Sequence, residues 1–185
     1  METKDAIRQR MRNRWRDLPD GWQDQRNARI DENVVRLQEF RTAAVIAAYL
    51  ALPDEVSTAA LIASAGKAGK TVCVPALDSD RNEYRFAKLG ADTRLATGPF
   101  RVREPASPNW LDIASCDLVL APGVAFDRTG RRLGHGYGFY DRLLKNAPGV
   151  RAGIAYSFQV VDELISEAHD IPMDMVITEH GVLRV

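Results

Sequence analysis

Apolar residues follow two patterns along the chain, and each pattern predicts a different element. In the N-terminal part they recur every three or four positions, which is the spacing of one buried helix face. Two stripes of this kind predict two helices. The first helix covers residues 4–17, with Ile7, Met11 and Trp15 in its stripe, and the second has a stripe of Ile30, Val34 and Leu37. Further along, the run AAVIAAYLAL at residues 43–52 is apolar without alternation. Such a run is typical of a strand covered on both faces, as in a parallel sheet between helices.

The same patterns alternate through the rest of the chain. Further strands are predicted at residues 71–77, 83–88, 117–121, 151–156 and 175–178, with an edge strand at 183–185. Further helices are predicted at residues 58–65, 139–144 and 160–168. No internal repeat or linker interrupts the alternation. We therefore predict one α/β domain over residues 1–185, a three-layer fold with a mostly parallel central sheet.

Composition and charge narrow the class of protein. The 25 Lys and Arg residues balance the 25 Asp and Glu residues, so bulk charge does not indicate a nucleic-acid binder. The two cysteines, Cys73 and Cys116, have no CxxC spacing, so neither a disulfide framework nor a zinc site is predicted. The charged N-terminus is unlike a signal peptide, and no apolar run approaches the roughly 18 residues of a membrane span. We expect a cytoplasmic monomer that acts on small molecules and binds neither nucleic acid nor membrane.

The candidate chemistry is concentrated after the predicted strand at residues 117–121. There, GHGYG at residues 134–138 alternates glycine with a side chain and leads into a helix. Glycines allow positive φ and close approach of the backbone, and the unpaired N–H groups of a helix start favour anions, so this segment predicts a phosphate site. Arg131 and Arg132 precede it, and Asp141 in the first helical turn suits Mg²⁺, which prefers oxygen ligands. The alternative is a turn that only reverses the chain.

Other charged residues each have two interpretations. Lys4 and Arg8 lie on one side of the first helix, either as a solvated basic face or as cations that reach a polyphosphate. Asp54 and Glu55 follow a buried strand, where they either face a ligand crevice or supply negative charge to the next helix. Asp170 precedes the strand at residues 175–178, and it is either a turn residue or a second metal carboxylate.

Three familiar motifs do not apply. The dinucleotide fingerprint would need glycine at position 139, which is Phe139. Gly69-Lys70-Thr71 resembles the end of a P-loop, but it leads into a strand and residue 64 is serine, so Lys70 is predicted to be a solvated turn residue. No Gly-x-Ser-x-Gly or Cys–His pattern indicates a covalent nucleophile, and the 3 histidines lack metal-ligand spacing.

The segment DLVLAPGVAFDRTGRRLGHGYGFYDR at residues 117–142 resembles the signature of the 5-formyltetrahydrofolate cyclo-ligase (5,10-methenyltetrahydrofolate synthetase) family. Lys4 with Arg8, YLALPDEVST at 49–58, GPFRVREP at 98–105 and HDIPMDMVITE at 169–179 fit further segments of that family. The resemblance implies a Rossmann-like fold of the NagB/RpiA/CoA-transferase type. It also implies ATP- and Mg²⁺-dependent cyclisation of 5-formyltetrahydrofolate to 5,10-methenyltetrahydrofolate, with release of ADP and phosphate, through a phosphorylated formyl (imidate) intermediate.

The resemblance further implies roles for individual residues. ATP would be held by Lys4, Arg8, Arg132, Gly134, His135, Gly136, Tyr137, Gly138, Phe139 and Tyr140. The folate would contact Leu50, Glu55, His135, Gly136, Tyr137, Gly138 and Phe139, and Mg²⁺ would be held by Asp141 and Asp170. Glu55 would accept hydrogen bonds from the guanidine-like edge of the pterin, with Tyr49 and Phe100 against the rings. The chain departs from some members at His135 and Tyr137, where they have Arg and Lys, and at Phe139, which replaces a frequent Tyr.

Two rival functions remain at the level of sequence. The first is a paralogue of the same fold that binds nucleotide or folate without cyclising it. The second is an RNA-binding module that uses the basic first helix, for which aromatic residues should be interleaved with the cations. Trp15 and Trp22 are the only aromatic candidates there, and Trp15 fits the apolar stripe better.

Overall fold

The computed structural model describes residues 2–167 and 170–185, and of Phe100 it describes the backbone only. The helices within these residues are α1 (Lys4–Arg16), α2 (Trp22–Arg36), α3 (Gln38–Thr42), α4 (Ala59–Lys67) and α5 (Phe139–Leu144). The strands are β1 (Val45–Ala47), β2 (Thr71–Asp78), β3 (Glu83–Lys88), β4 (Leu95–Thr97), β5 (Arg103–Pro105), β6 (Trp110–Leu111), β7 (Leu118–Ala121), β8 (Ala125–Asp127), β9 (Arg132–Leu133), β10 (Val150–Ile154), β11 (Val160–Val161), β12 (Met175–Thr178) and β13 (Gly181–Arg184). Short 3₁₀ turns lie at Pro99–Arg101, Ile113–Ser115 and Ser157–Gln159.

The first two helices follow their predicted apolar stripes. Helix α1 begins after Thr3, whose hydroxyl oxygen accepts a hydrogen bond from the N–H of Ala6 at 3.2 Å. Its stripe residues Ile7 and Met11 are buried. In α2 the stripe is likewise buried, and both predicted helices are confirmed. No helix within residues 2–167 and 170–185 combines the length and the apolar character needed to cross a bilayer.

The central sheet is mostly parallel, as predicted. Its strands lie in the order β13-β12-β10-β7-β1-β2-β3-β6. The five inner strands from β12 to β2 pair in parallel, whereas β13, β3 and β6 pair antiparallel at the two edges. Parallel strands end at the same edge of a sheet, so the loops after β1 and β7 meet there.

Helices cover both faces of the sheet, which confirms the three-layer architecture. In β7, Leu118 and Leu120 belong to a core cluster shared with α2, α3 and α4. Val119 and Ala121 point to the opposite face, into a cluster shared with α5. A smaller cluster joins α1 to the three-stranded sheet β11-β8-β9, and its buried members are Ile7, Met11, Ala125, Leu133 and Leu164.

The apolar run at residues 43–52 forms a strand only at β1. Beyond it, Tyr49 remains buried but belongs to a loop. The Tyr49 hydroxyl donates to the carbonyl oxygen of Val56 at 2.8 Å, and the Thr58 hydroxyl donates to the Tyr49 carbonyl. The apolar pattern therefore predicts the burial correctly, but these hydrogen bonds turn the backbone out of the sheet.

The helix predicted at residues 160–168 is wrong over the described part of that range, and residue 168 lies outside the described residues. Strand β11 instead pairs in parallel with β8. After it, the N–H of Leu164 donates to Asp127 Oδ2 at 3.0 Å, and Arg131 Nη1 donates to the Leu164 carbonyl at 2.9 Å. These contacts from a distant loop satisfy backbone groups that a helix would have paired internally. The other predicted helices and strands are confirmed, with ends displaced by at most two residues.

Candidate active site

A cavity of about 930 Å³ lies at the carboxyl ends of the parallel strands, between α1, the loops after β1 and β7, and the segment from β9 to α5. Its size is that of a small-molecule site. The residues that the family resemblance assigns to ATP, folate and Mg²⁺ all line it: Lys4, Arg8, Leu50, Glu55, Arg132, Gly134, His135, Gly136, Tyr137, Gly138, Phe139, Tyr140, Asp141 and Asp170. Two further charged candidates, Arg131 and Asp54, are not among its lining residues, and Arg131 instead donates to the Leu164 carbonyl at 2.9 Å. The fold thus brings together residues from both ends and the middle of the chain.

The glycine loop (residues 134–138) needs its glycines for two reasons. Gly136 and Gly138 have φ of +104° and +63°, in the left-handed region that residues with a Cβ avoid. At Gly134 and Gly138 an added Cβ would also lie 2.8 Å from Arg132 Nη1 and 3.1 Å from Arg142 Nη1, respectively. The loop therefore leaves its backbone close to neighbouring cations at the cavity wall.

Arg132 lies beneath the glycine loop and is almost fully buried. Its side chain is 4% exposed, and Nη2 donates to Asp141 Oδ1 at 2.8 Å. The guanidinium carbon also lies 5.5 Å from the centroid of the Tyr140 ring. Among the described residues, Arg132 Nε is buried without a hydrogen-bond partner. A buried N–H donor of a cation is rarely left in this state, so Arg132 retains the capacity to bind an anion.

Lys4 and Arg8 extend from α1 towards the glycine loop and do not form a solvated face. Their side chains are 23% and 18% exposed. Lys4 Nζ donates to Glu167 Oε1 at 2.9 Å and to Asp170 Oδ2 at 3.1 Å. Burial alone would lower the pKa of Lys4, but these two carboxylates outweigh it and raise the pKa. Arg8 Nε donates to the carbonyl of Gly134 at 2.9 Å.

Glu55 is a buried carboxyl that lines the cavity beside the glycine loop. Its side chain is 10% exposed, and Oε2 accepts a hydrogen bond from the N–H of Leu52 at 2.9 Å. Oε1 lies 4.0 Å from Nε2 of His135 in the glycine loop. Burial raises the pKa of Glu55 to about 7. The cavity therefore contains an acceptor whose charge changes near neutral pH.

The two predicted metal carboxylates lie on adjoining segments. The N–H of Ile171, the residue after Asp170, lies 3.5 Å from Asp141 Oδ1. Over the described ranges, no group of three His, Cys, Asp or Glu side chains is arranged to hold a metal ion. Two carboxylates beside three cations do fit Mg²⁺ that takes its other ligands from phosphate and water.

Asp127, in the same segment as the glycine loop, has a different role that the sequence did not reveal. It is fully buried. Oδ1 accepts hydrogen bonds from the N–H and hydroxyl of Thr129, both at 2.8 Å, and from the N–H of Arg131 at 3.0 Å. Oδ2 accepts from Leu164, so Asp127 stabilises the turn before the site.

Several lining residues were not predicted, because nothing in their local sequence assigns them to the site. Tyr84, on strand β3, lies with its ring centroid 4.8 Å from that of Phe139, and its buried hydroxyl has no partner within the described chain. Arg101 and Arg103 also line the cavity, as does Arg12 of α1. Only the three-dimensional arrangement brings these side chains together. The side chain of Phe100, predicted to contact the folate rings, lies outside the described residues.

The prediction for Lys70 as a solvated turn residue is wrong. Lys70 Nζ donates to the carbonyl oxygens of Arg41 at 2.9 Å and Ala43 at 2.7 Å. These carbonyls belong to the C-terminal end of α3, where a cation is favoured by the helix dipole. Lys70 therefore caps a helix and does not act as a P-loop lysine.

Comparison with known proteins gives one consistent result. The sequence signature of the 5-formyltetrahydrofolate cyclo-ligase family matches residues 1–179. The chain is 36% identical to 5-formyltetrahydrofolate cyclo-ligase of Haemophilus influenzae, over 82% of this chain and 84% of the relative, and 33% identical to the Escherichia coli K12 enzyme of that name, over 74% and 79%. The structure is similar to the NMR structure of Aquifex aeolicus 5,10-methenyltetrahydrofolate synthetase, with a TM-score of 0.87 and 32% identity over 98% of this chain and 92% of that one. The chain belongs to the 5-formyltetrahydrofolate cyclo-ligase family.

Proposed function

We propose that this protein uses ATP and Mg²⁺ to cyclise 5-formyltetrahydrofolate to 5,10-methenyltetrahydrofolate, with release of ADP and phosphate. One observation supports this most strongly: a single cavity is lined by several basic side chains, among them Lys4, Arg8 and Arg132, by the glycine loop and by the buried carboxyl of Glu55. The names of the Haemophilus influenzae and Escherichia coli relatives support the same activity.

ATP binds at the side of the cavity formed by α1 and the glycine loop. Lys4, Arg8 and Arg132 supply positive charge, and residues 134–140 supply backbone that approaches the phosphates closely. Arg132 is suited to this because its Nε has no partner in the described chain. Asp141 and Asp170 hold Mg²⁺, which neutralises charge on the phosphate oxygens when bound.

The folate binds at the side formed by Leu50, Glu55 and the loop from His135 to Phe139. The ionised Glu55 accepts two N–H donors from the pterin edge, a pairing in which one charged partner strengthens both hydrogen bonds. Its burial excludes water from that contact. Tyr49 does not present its hydroxyl here, because that group donates to Val56.

The reaction needs no protein nucleophile. The formyl oxygen on N5 attacks the γ-phosphorus of ATP, the bond to the bridging oxygen breaks, and ADP leaves. N10 then attacks the activated formyl carbon, phosphate leaves with the former formyl oxygen, and N10 loses its proton. The protein contributes orientation of the two substrates and neutralisation of phosphoryl charge by its cations.

The test is a coupled assay on the purified full chain. We expect ADP release to require both Mg²⁺ and 5-formyltetrahydrofolate, and to match the appearance of methenyl absorbance one for one. ATP hydrolysis without folate dependence would instead support a paralogue that lacks cyclo-ligase activity. Absence of turnover with tight, salt-sensitive polynucleotide binding would support the RNA-binding alternative. The monomeric state and cytoplasmic location remain predictions.

A further inference from the structure

Two of the three proposed phosphate-binding cations, Lys4 and Arg132, contact carboxylates proposed to hold the metal, whereas Arg8 pairs with Asp5. Arg132 Nη2 lies 2.8 Å from Asp141 Oδ1. Lys4 Nζ lies 3.1 Å from Asp170 Oδ2, and also 2.9 Å from Glu167 Oε1. The Lys4 pairs join the two ends of the chain, so the fold itself creates them, whereas Arg132 and Asp141 lie 9 positions apart on either side of the glycine loop.

The paired groups are shielded from water, which makes the pairing strong. The Arg132 and Asp141 side chains are 4% and 16% exposed, and those of Lys4 and Asp170 are 23% and 15% exposed. Charges in such surroundings interact more strongly than at the surface, and losing one partner leaves the other poorly compensated. Arg132 is also incompletely satisfied, since its Nε has no partner in the described ranges.

We infer that Lys4 and Arg132 occupy the metal-binding carboxylates until nucleotide binds, so that nucleotide and metal bind this chain as a strongly coupled pair. The inference rests on the proposed function. Phosphate arriving alone would draw Lys4 and Arg132 away and leave Asp141 and Asp170 facing its negative charge. Metal arriving alone would displace the same cations, which costs Arg132 its contact with Asp141 and Lys4 one of its two carboxylate contacts. When both arrive, phosphate takes the cations and metal takes the carboxylates.

This exchange makes an unusual prediction about removing a carboxylate. Neutralising Asp170 frees Lys4 from one partner and removes a negative charge from the phosphate site. Metal-free nucleotide should then bind more tightly, although the enhancement by metal is lost. If Asp170 only bound the metal, its neutralisation would remove the enhancement by metal but would not tighten the binding of metal-free nucleotide.

Asp170 and Glu167 form a matched pair for the test, because both contact the same Lys4 ammonium. ATP binding to the full-length wild type, D170N and E167Q is measured by calorimetry without folate, once in EDTA and once with Mg²⁺. We expect Mg²⁺ to tighten ATP binding to the wild type within the roughly 5–150-fold range of typical coupling. In EDTA, the affinity of D170N for ATP should exceed that of the wild type by about threefold or more. Adding Mg²⁺ should then raise the affinity of D170N for ATP by less than about threefold. E167Q should also bind metal-free ATP more tightly, but it should keep the wild-type enhancement by Mg²⁺.

Coupling is reciprocal, which gives a second measurement. The affinity for Mn²⁺ is measured without nucleotide by electron paramagnetic resonance. It should be higher in K4M than in the wild type by about threefold or more, because Asp170 loses the cation that competes with the metal. Circular dichroism of each variant checks that it is folded.

The outcomes separate the inference from the proposed function. If the wild type binds ATP with Mg²⁺ enhancement, but D170N binds metal-free ATP no more tightly and K4M binds Mn²⁺ no more tightly, the exchange is refuted while the proposed function stands. If the wild type binds no ATP under either condition, the proposed function itself is refuted.

Discussion

Two aspartates in one segment of the chain, Asp127 and Asp141, show how the same residue type can serve structure or chemistry. Asp127 is fully buried and accepts hydrogen bonds from backbone and hydroxyl groups of its own turn and of Leu164. Asp141 faces the cavity and pairs with Arg132, which itself keeps an unpartnered donor in the described chain. The first carboxylate stabilises the scaffold, and the second belongs to an arrangement that a ligand completes.

The same contrast divides the backbone on either side of β9. Before it, β8 and β9 pair and the turn between them is closed around Asp127. After it, the glycine loop adopts positive φ, and Tyr137 is 56% exposed. A rigid turn followed by an open loop places the loop accurately without filling the cavity, which is what a positioning mechanism requires.

The largest expected effect is on stability, from Asp127→Ala. The substitution leaves several buried donors without an acceptor, so we expect the free energy of unfolding to fall by about 3 kcal/mol. Denaturant titration measures it. The matched control is Asp112→Ala, which removes an exposed carboxylate that accepts from the N–H of Ala114 at 3.0 Å and should cost about 1 kcal/mol or less. Equal losses in the two variants would contradict the structural role of Asp127.

Asp141→Asn should have the opposite profile. We expect turnover to fall by about 100-fold, because a group acting on the phosphoryl charge is lost. The amide oxygen still accepts from the buried Arg132, but the guanidinium loses its charged partner, so the free energy of unfolding should fall by about 1–2 kcal/mol, less than in Asp127→Ala. Steady-state kinetics and denaturant titration of the same sample test this. Retained turnover would remove Asp141 from the site.

Gly138→Ala tests the open loop with a smaller effect. Alanine at φ +63° is strained by roughly 1–2 kcal/mol, and its Cβ would lie 3.1 Å from Arg142 Nη1. We expect the KM for ATP to rise about tenfold, in line with a misplaced loop of that cost. Gly66→Ala is the control, since no atom lies within 4 Å of its added Cβ and it lies in α4, away from the cavity. That variant should keep the wild-type KM.

The smallest effect concerns the pH dependence of folate binding. Because the pKa of Glu55 is about 7, its carboxylate fraction rises from pH 6 to pH 8, and the KM for 5-formyltetrahydrofolate should fall by about an order of magnitude over that interval. Glu55→Gln should raise the KM at pH 8 and remove this dependence. An unchanged pH profile in the variant would assign the dependence to another group.

Local patterns predicted most elements because burial and local propensity agree in them. The helix Phe139–Leu144 and the strand Met175–Thr178 have their predicted bounds. Residues 160–167 did not follow their pattern, because Asp127 and Arg131 bind the backbone there from outside the segment. The pairing of Lys4 with Asp170 was equally beyond local reasoning, since only the closed fold brings the two ends of the chain together.

The candidate site could be predicted where a motif contains it, and not elsewhere. The glycine loop and its flanking charges form a recognisable segment, and Arg132, residues 134–140 and Asp141 line the cavity, whereas Arg131 binds the Leu164 carbonyl. Tyr84 lies in β3, outside every motif, so nothing local indicates that its ring meets Phe139. A local motif can also mislead: Gly69-Lys70-Thr71 resembles part of a P-loop, but the Lys70 side chain caps a helix.

The central claim is that one cavity transfers the formyl oxygen of the folate to the γ-phosphorus of ATP. The most direct test uses 5-formyltetrahydrofolate labelled with ¹⁸O in the formyl group, with mass spectrometry of the phosphate released by the purified protein. We predict one ¹⁸O atom in each phosphate formed together with methenyltetrahydrofolate. Methenyl formation with unlabelled phosphate would contradict the account, because the oxygen would then have left by another route.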